Sequence, residues 1–194
     1  MEKEDKEKFH SLSAKLLYLA KRTRPDLLLL TSYLTSRVLC PNEDDLAKLH
    51  RGLRYLQSTR HLGLTLSARM PIGVISYVDA SFAVHPDMRS HTGAILSFGG
   101  GTLYAKSGKQ GLNTTSSTES ELVGLSDSSV QVIWLRNFLT EQGFHDQGPA
   151  IVCQDNESTI RLVNKGRSAS ARTRHIAIRY IFLSKIALNP EKSK

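Results

Sequence analysis

The chain has few cysteines, a single tryptophan and no long apolar run. Cys40 and Cys153 lie far apart, and no second pair of cysteines could complete a metal site. This usage is typical of a reduced intracellular protein. No apolar stretch approaches the roughly 18 residues that a membrane-spanning helix needs. Residues 1–8 carry charges of both signs and do not resemble a secretion signal. We therefore expect an intracellular protein with no membrane partner.

Positive charge exceeds negative charge only in the C-terminal part of the chain. The 194 residues include 26 Lys and Arg against 18 Asp and Glu, a formal net charge of +8. Residues 161–194 hold nine of these basic residues and one acid, which accounts for the whole excess. Such a segment is typical of a surface that meets phosphate groups, although a solvated tail without a partner has the same composition.

The first third of the chain is predicted to be helical. Apolar residues recur at helical spacing over residues 9–60, and three acids after Asn42 suit the first turn of a third helix. Leucines that alternate with other residues at 62, 64 and 66 predict a short strand. The run Pro71-Ile72-Gly73 then predicts a domain boundary. We expect a helical segment over 1–68, a second domain over 69–188 and a basic tail over 189–194.

The second domain has an α/β pattern. Strands are predicted at 74–78, 93–98 and 102–106, the last two joined by a glycine hairpin. Helices are predicted at 116–129 and 130–141, with Trp134 in the core. A strand at 150–153, a short helix at 157–164 and a last helix at 174–186 follow. The order β-β-β-α-α-β-α-α indicates an α/β domain that opens with three antiparallel strands.

Three carboxylates are candidates for one site. Asp79 follows the first strand, Asp155 follows the fourth, and Glu121 lies on the helix between them. If the two strands are neighbours, these groups meet at one edge of the sheet. Clustered carboxylates suit Mg²⁺, and two such ions can catalyse phosphodiester hydrolysis. Each aspartate alone is equally well explained as a turn residue or a helix cap.

Five ordered motifs resemble the ribonuclease H domain of Ty1/copia-type retrotransposon reverse transcriptases. They are Tyr77-Val78-Asp79-Ala80-Ser81, Arg89-Ser90-His91-Thr92-Gly93, Ser116-Ser117-Thr118-Glu119-Ser120-Glu121-Leu122, Cys153-Gln154-Asp155-Asn156 and Arg172-Thr173-Arg174-His175-Ile176-Ala177-Ile178-Arg179-Tyr180. Upstream, Leu16-Leu17-Tyr18-Leu19, Thr23-Arg24-Pro25-Asp26 and Leu53-Arg54-Tyr55-Leu56 resemble the helical end of the polymerase region, a thumb or connection segment. The resemblance covers nearly the whole chain.

The resemblance implies both a fold and an activity. The fold would be ribonuclease H-like, with three antiparallel strands, later strands, and helices on both faces of the sheet. The activity would be metal-dependent endonucleolytic hydrolysis of the RNA strand of an RNA–DNA hybrid during reverse transcription. Two Mg²⁺ ions are expected, for which Mn²⁺ can substitute. The partners would be the hybrid and the rest of the polyprotein, in the cytoplasm, a retroelement particle or the nucleus.

The same resemblance assigns Asp79, Glu121 and Asp155 as metal ligands. Glu121 is preferred to Glu119 because Glu121 is followed by Leu122 and then by small and apolar residues, as in the ribonuclease H helix. A transposase or integrase also uses clustered acids, but its carboxylates run Asp, Asp, Glu along the chain. Here the glutamate lies between the aspartates, which favours ribonuclease H.

The fourth carboxylate of the family is missing. Related copia-type sequences commonly have aspartate where this chain has Ala177. Three readings stay open: one metal is held loosely, another group such as His175 is recruited, or the domain is an inactivated copy that still binds the hybrid. Two roles are open for His175. It is a catalytic residue, which helps to release product or contacts phosphate, or it is a surface residue at the start of a helix.

Substrate contacts are expected at basic and hydroxyl side chains around the site, because a hybrid is recognised through its backbone and groove shape. Arg89 and Ser90 either touch the nucleic-acid backbone or close the loop after the first strand. The other candidates for phosphate contacts are Arg172, Arg174 and Arg179.

Overall fold

The computed structural model describes residues 3–67, 73–144, 148–165, 179 and 183. The chain forms two compact units, Met1–Thr65 and Leu66–Lys194. Among the described residues, no helix is long and apolar enough to cross a membrane.

The first unit is helical, as predicted. It contains α1 (Lys3–Arg22), a 3₁₀ turn (Pro25–Leu27), α2 (Leu28–Ser36) and α3 (Glu43–Ser58). The N-terminus of α3 has a capping box, in which the Asn42 side chain accepts from the Asp45 N–H and the Asp45 side chain accepts from the Asn42 N–H. The core is formed by buried apolar side chains, among them Phe9, Leu16, Leu34 and Leu49.

A buried arginine ties the end of α3 to the turn before α2. The Arg24 guanidinium donates to both Asp26 carboxylate oxygens and to the Thr59 carbonyl oxygen. The Asp26 carboxylate holds the pKa of Arg24 above its ordinary value, and Arg24 lowers the pKa of Asp26. Arg24 therefore stays charged, and its burial is offset by an ion pair and by a carbonyl at a helix C-terminus.

The second unit is built on one mixed sheet of four described strands. These are β1 (Val74–Ser81), β2 (His91–Phe98), β3 (Thr102–Lys109) and β4 (Ile151–Cys153), in the order β3-β2-β1-β4. β2 is antiparallel to β1 and β3, which confirms the three predicted antiparallel strands, whereas β4 is parallel to β1. Tyr77 is the register partner of Cys153. β1 and β4 therefore run side by side towards Asp79 and Asp155.

One helix replaces two predicted helices. α4 runs without a break over Ser117–Glu141, so the expected division near residue 129 was wrong. The polar residues at that point fit inside the helix because the Ser128 and Ser129 hydroxyls donate to the carbonyls of Gly124 and Leu125, four residues earlier. The buried side of α4 also continues through Val132, Leu135 and Leu139.

α4 approaches the sheet closely at Gly124. A Cβ atom at this position would lie 3.2 Å from both Thr92 Cγ2 and Thr92 Oγ1, and 3.5 Å from Ala80 Cβ. The core continues along the same face of the sheet, where Val74, Val78, Ala94 and Leu96 pack against buried apolar residues of α4. α5 (Glu157–Lys165) adds Leu162 and Val163 to this cluster.

Two other expectations differ from the structure. Trp134 is not in the core: it is 59% exposed and stacks on Phe138. Residues 62–66 form no strand. The next residue, Ser67, makes an isolated bridge with Gly100. The described helices of this unit pack on one face of the sheet, and the opposite face exposes Tyr77 and Ile95, so the expected helices on both faces stay a prediction. The predicted last helix lies outside the described residues except for Arg179 and Leu183.

The close approach at Gly124 leads to a prediction. Gly124→Leu forces α4 away from β1 and β2, and such overpacking typically costs about 1–3 kcal/mol. Urea denaturation followed by the fluorescence of Trp134, the only tryptophan, should show a lower midpoint. Gly108→Leu is the matched control, because a Cβ there meets nothing within 4 Å. Equal midpoints for the two variants would contradict this account of the packing.

Candidate metal centre

Three carboxylates converge where β1, β4 and α4 meet. One carboxylate oxygen from each of Asp79, Glu121 and Asp155 lies within 4.8 Å of the others. Asp79 and Asp155 are exposed, whereas Glu121 is 4% exposed. The structure thus brings together the three acids that the sequence predicts as ligands, and their role as ligands stays a prediction.

Each acid reaches this point through a different element. Asp79 lies two residues before the end of β1, not after the strand as expected, and pairs with Gly93 of β2. Asp155 follows β4 in the connection to α5. Glu121 lies in the second turn of α4, three residues before the close approach at Gly124. The packing of α4 on β1 therefore determines the depth of Glu121 in the cluster.

The Glu121 carboxylate is desolvated but receives hydrogen bonds. Gln154 Nε2 donates to its Oε2 at 3.1 Å, and the Ala80 N–H also donates to the carboxylate. Burial raises the pKa of Glu121 above its ordinary value, and the charges of Asp79 and Asp155 add to this rise. The two N–H donors oppose it because they stabilise the ionised form. A bound cation would act in the same direction as these donors.

The cluster fits a hard divalent cation. Its three side chains offer only carboxylate oxygens, which Mg²⁺ and Mn²⁺ prefer and which Zn²⁺ rarely uses without nitrogen or sulfur ligands. Two of the three face solvent, so water and a phosphate group can complete the coordination. A bound cation would also relieve the mutual repulsion of the carboxylates, which favours binding.

Glu119 has a different role from Glu121. Its Oε2 accepts from both the N–H and the hydroxyl of Thr115, while its own N–H donates to the Ser116 Oγ, the N-cap of α4. Glu119 is therefore part of the helix N-terminus. The choice of Glu121 over Glu119 as a metal ligand stays a prediction.

Three of the predicted substrate contacts lie among the described residues, and each has a partner within the protein. Arg89 is 3.6 Å from Asp87, which also pairs with Lys109. Ser90 is fully buried, where its hydroxyl accepts from the Ala83 N–H and bonds to the Thr114 hydroxyl. Ser90 thus closes the loop after β1, one of its two proposed roles. Arg179 donates to Asp127 of α4. Outside the described residues lie Arg172, Arg174, His175 and Ala177.

The sequence reasoning missed Gln154. Its side chain contacts Glu121, yet a glutamine next to an aspartate has no distinctive signature in a single sequence. The one available signal was its position between the fourth strand and the N-cap of the following helix. Side chains there point towards the edge at which the acids were expected.

Comparisons with known proteins identify relatives of the chain. The Retrovirus-related Pol polyprotein from transposon TNT 1-94 of Nicotiana tabacum is 32% identical over 173 residues, which are 89% of this chain and 13% of the polyprotein. The corresponding polyprotein from transposon RE1 of Arabidopsis thaliana is 32% identical over 180 residues, 92% of this chain and 12% of that protein. The chain is a homologue of retrotransposon Pol polyproteins. It spans only a small part of their length.

A shorter relative is covered more completely. Secreted RxLR effector protein 161 of Plasmopara viticola is 34% identical over 121 residues, 62% of this chain and 85% of the effector, so the two belong to one family. No family model and no solved structure matches the chain. The homology to Pol polyproteins supports an origin in a retrotransposon polyprotein.

The electrostatics of the cluster predict how the metal-free protein responds to pH. Because the folded-state pKa of Glu121 is raised, its contribution to stability is greatest at low pH and is lost as the pH rises through that pKa. Glu121→Gln has no ionisable group at this position and therefore avoids the loss of stability that the natural chain suffers as the pH rises. The variant should melt higher at pH 7 in EDTA by roughly 2–4 °C, which corresponds to about 1 kcal/mol for a protein of this size.

Calorimetry from about pH 4 to pH 7 tests the direction of this effect. The difference in melting temperature between Glu121→Gln and the natural chain should grow as the pH increases. Glu141→Gln, an exposed change at the other end of α4, is the control and should have little effect. A Glu121→Gln protein that is less stable than the natural chain at neutral pH would show that the donors to Glu121 outweigh its burial.

Proposed function

We propose that this chain is the ribonuclease H part of a retroelement reverse transcriptase and hydrolyses the RNA strand of an RNA–DNA hybrid. The observation that carries the proposal is the convergence of Asp79, Glu121 and Asp155 from two neighbouring parallel strands and one helix. Homology to retrotransposon Pol polyproteins supports the same conclusion, as do the ordered motifs that contain these acids.

The side chains divide the work of binding and orientation. Mg²⁺ or Mn²⁺ held by the carboxylates would supply a nucleophilic water and stabilise the leaving oxygen of a phosphodiester. Asp79 and Asp155 are exposed, so a substrate phosphate can approach the side of the cluster that they form. Glu121 closes the inner side, where Gln154 and the Ala80 N–H hold its carboxylate. These donors favour the ionised form of a buried acid and help to orient it.

Recognition of the hybrid would depend on its backbone. An acid cluster repels a polyanion, so basic groups must bring the nucleic acid to it. Arg89 is half-exposed near the loop after β1, and the C-terminal segment holds the whole basic excess of the chain. Binding should therefore weaken steeply with salt and show little base preference.

A second function has one observation in its favour. Ala177 replaces the aspartate that related copia-type sequences commonly have, and alanine cannot bind a cation. The domain would then bind the hybrid while cleaving it weakly or not at all. The following experiments separate the two functions.

Cleavage of a labelled RNA–DNA hybrid by the full chain tests the enzyme. With Mg²⁺ or Mn²⁺ the RNA strand should be cut internally, and single-stranded RNA should stay intact. Asp79→Asn should lower the rate at least about 100-fold, because it removes an anionic ligand from the site. Glu141→Gln, far along α4, is the control and should leave the rate unchanged. Binding of the hybrid without cleavage in either metal would favour the second function.

Ala177→Asp tests the missing carboxylate. If position 177 limits metal binding, the variant should cleave the hybrid at least about tenfold faster, equivalent to roughly 1.4 kcal/mol of barrier. The rate should be measured against Mg²⁺ concentration, because a restored ligand lowers the concentration that gives half of the maximal rate. Identical metal dependence in both proteins would exclude position 177 as a ligand.

A further inference from the structure

Gln154 lies between Asp155 and the inner carboxylate of the cluster. Its Nε2 donates to Glu121 Oε2 at 3.1 Å, and its Oε1 accepts from the Asn156 N–H at 3.0 Å. Both ends of one side-chain amide are therefore engaged. Gln154 connects the segment that carries Asp155 to the helix that carries Glu121.

The partners of Gln154 fix the direction of its amide. A backbone N–H can only donate, so the amide oxygen must face Asn156 and the NH₂ group must face Glu121. Gln154 thus presents a donor to the acid cluster. With this orientation its oxygen is not available to a cation, and its role differs from that of the three carboxylates. It also adds no charge to a crowded site.

Further hydrogen bonds close a circuit through the same elements. Asn156 Oδ1 accepts from the Thr159 N–H at 2.9 Å and so caps α5. The hydroxyl of Thr159, which is fully buried, donates to the Thr118 carbonyl of α4 at 3.3 Å. Thr118 precedes Glu121 by three residues on the same helix. The circuit therefore ties the start of α4, the end of β4 and the start of α5 together.

We propose that Gln154 is a positioning residue that holds the Glu121 carboxylate in the orientation that binds a divalent cation. This inference rests on the proposed metal site. Glu121 is pushed away from Asp79 and Asp155 by like charge, and rotation of its side chain would relieve that repulsion at the expense of the site. The Gln154 N–H opposes this rotation, and the circuit through Asn156 and Thr159 keeps the amide in place. Partners of this kind contribute to metal affinity although they touch no metal.

Direct Mn²⁺ titration by calorimetry, on the full chain without nucleic acid, tests the proposal. Gln154→Met has a similar size but no donor, and it should bind Mn²⁺ about 10–100-fold more weakly than the natural chain. Gln142→Met is the matched control, because Gln142 is an exposed residue at the C-terminus of α4, and it should leave the affinity unchanged. Gln154→Asn keeps an amide that is too short to reach both partners and should also bind weakly.

Circular dichroism in EDTA at the titration temperature identifies which variants are folded, and the affinity is compared among those. Normal Mn²⁺ affinity in either folded Gln154 variant would overturn the proposal, as would the absence of Mn²⁺ binding to the natural chain. Cleavage of the hybrid, measured separately, decides the proposed function. A natural chain that binds Mn²⁺ but cuts no RNA would fail as a nuclease, while the affinity comparison would still decide the role of Gln154.

Discussion

The repulsion among three carboxylates is the constraint on which the second unit depends. One carboxylate oxygen from each of Asp79, Glu121 and Asp155 lies within 4.8 Å of the others, and burial, together with the charges of the two aspartates, raises the pKa of Glu121. Like charges separate unless the elements that carry them are held by other forces. Here those forces are apolar packing between α4 and the sheet, the Ala80 N–H and the Gln154 amide. Packing energy thus maintains an arrangement that is unfavourable by itself.

Gly124 links the packing of α4 on the sheet to the position of Glu121 in the acid cluster. Because it has no side chain, α4 can lie against Thr92 and Ala80, and Ala80 is also the residue whose N–H reaches Glu121. Thr92 is held in turn by Gln110, whose Nε2 donates to the Thr92 hydroxyl and to the Ser120 carbonyl. A change in this contact would move the helix and its carboxylate together. The depth of the acid in the cluster is therefore a property of the core.

The sequence could predict the elements better than their contacts. Strands that precede Asp79 and Asp155 are evident from short apolar runs, and their parallel pairing brings both acids to one edge. The single helix α4 was missed because polar residues near 127–129 are typical of a break, and the bonds of Ser128 and Ser129 to the preceding turn form only within the helix. Trp134 was placed in the core by residue type, but the side of α4 that it occupies is set by the packing of Val132 and Leu135. Gln154 was missed because its role depends on a contact with a residue 33 positions away in the sequence.

The distribution of charge gives the proposed function a consistent electrostatic basis. Residues 1–160 contain equal numbers of basic and acidic residues, so the acid cluster lies in a part of the chain with no net charge to attract a polyanion. All of the positive excess follows, within 161–194, soon after Asp155. Arg179, which belongs to this basic segment, donates to Asp127 of α4, the helix that also carries Glu121. If the substrate is a hybrid, this segment and the bound cations would act together, since both offset the repulsion between the acids and the phosphates. If Ala177 stands in place of a fourth metal-binding carboxylate, the replacement would reduce the affinity for metal more than the affinity for nucleic acid, because phosphate binding depends on the basic groups that remain.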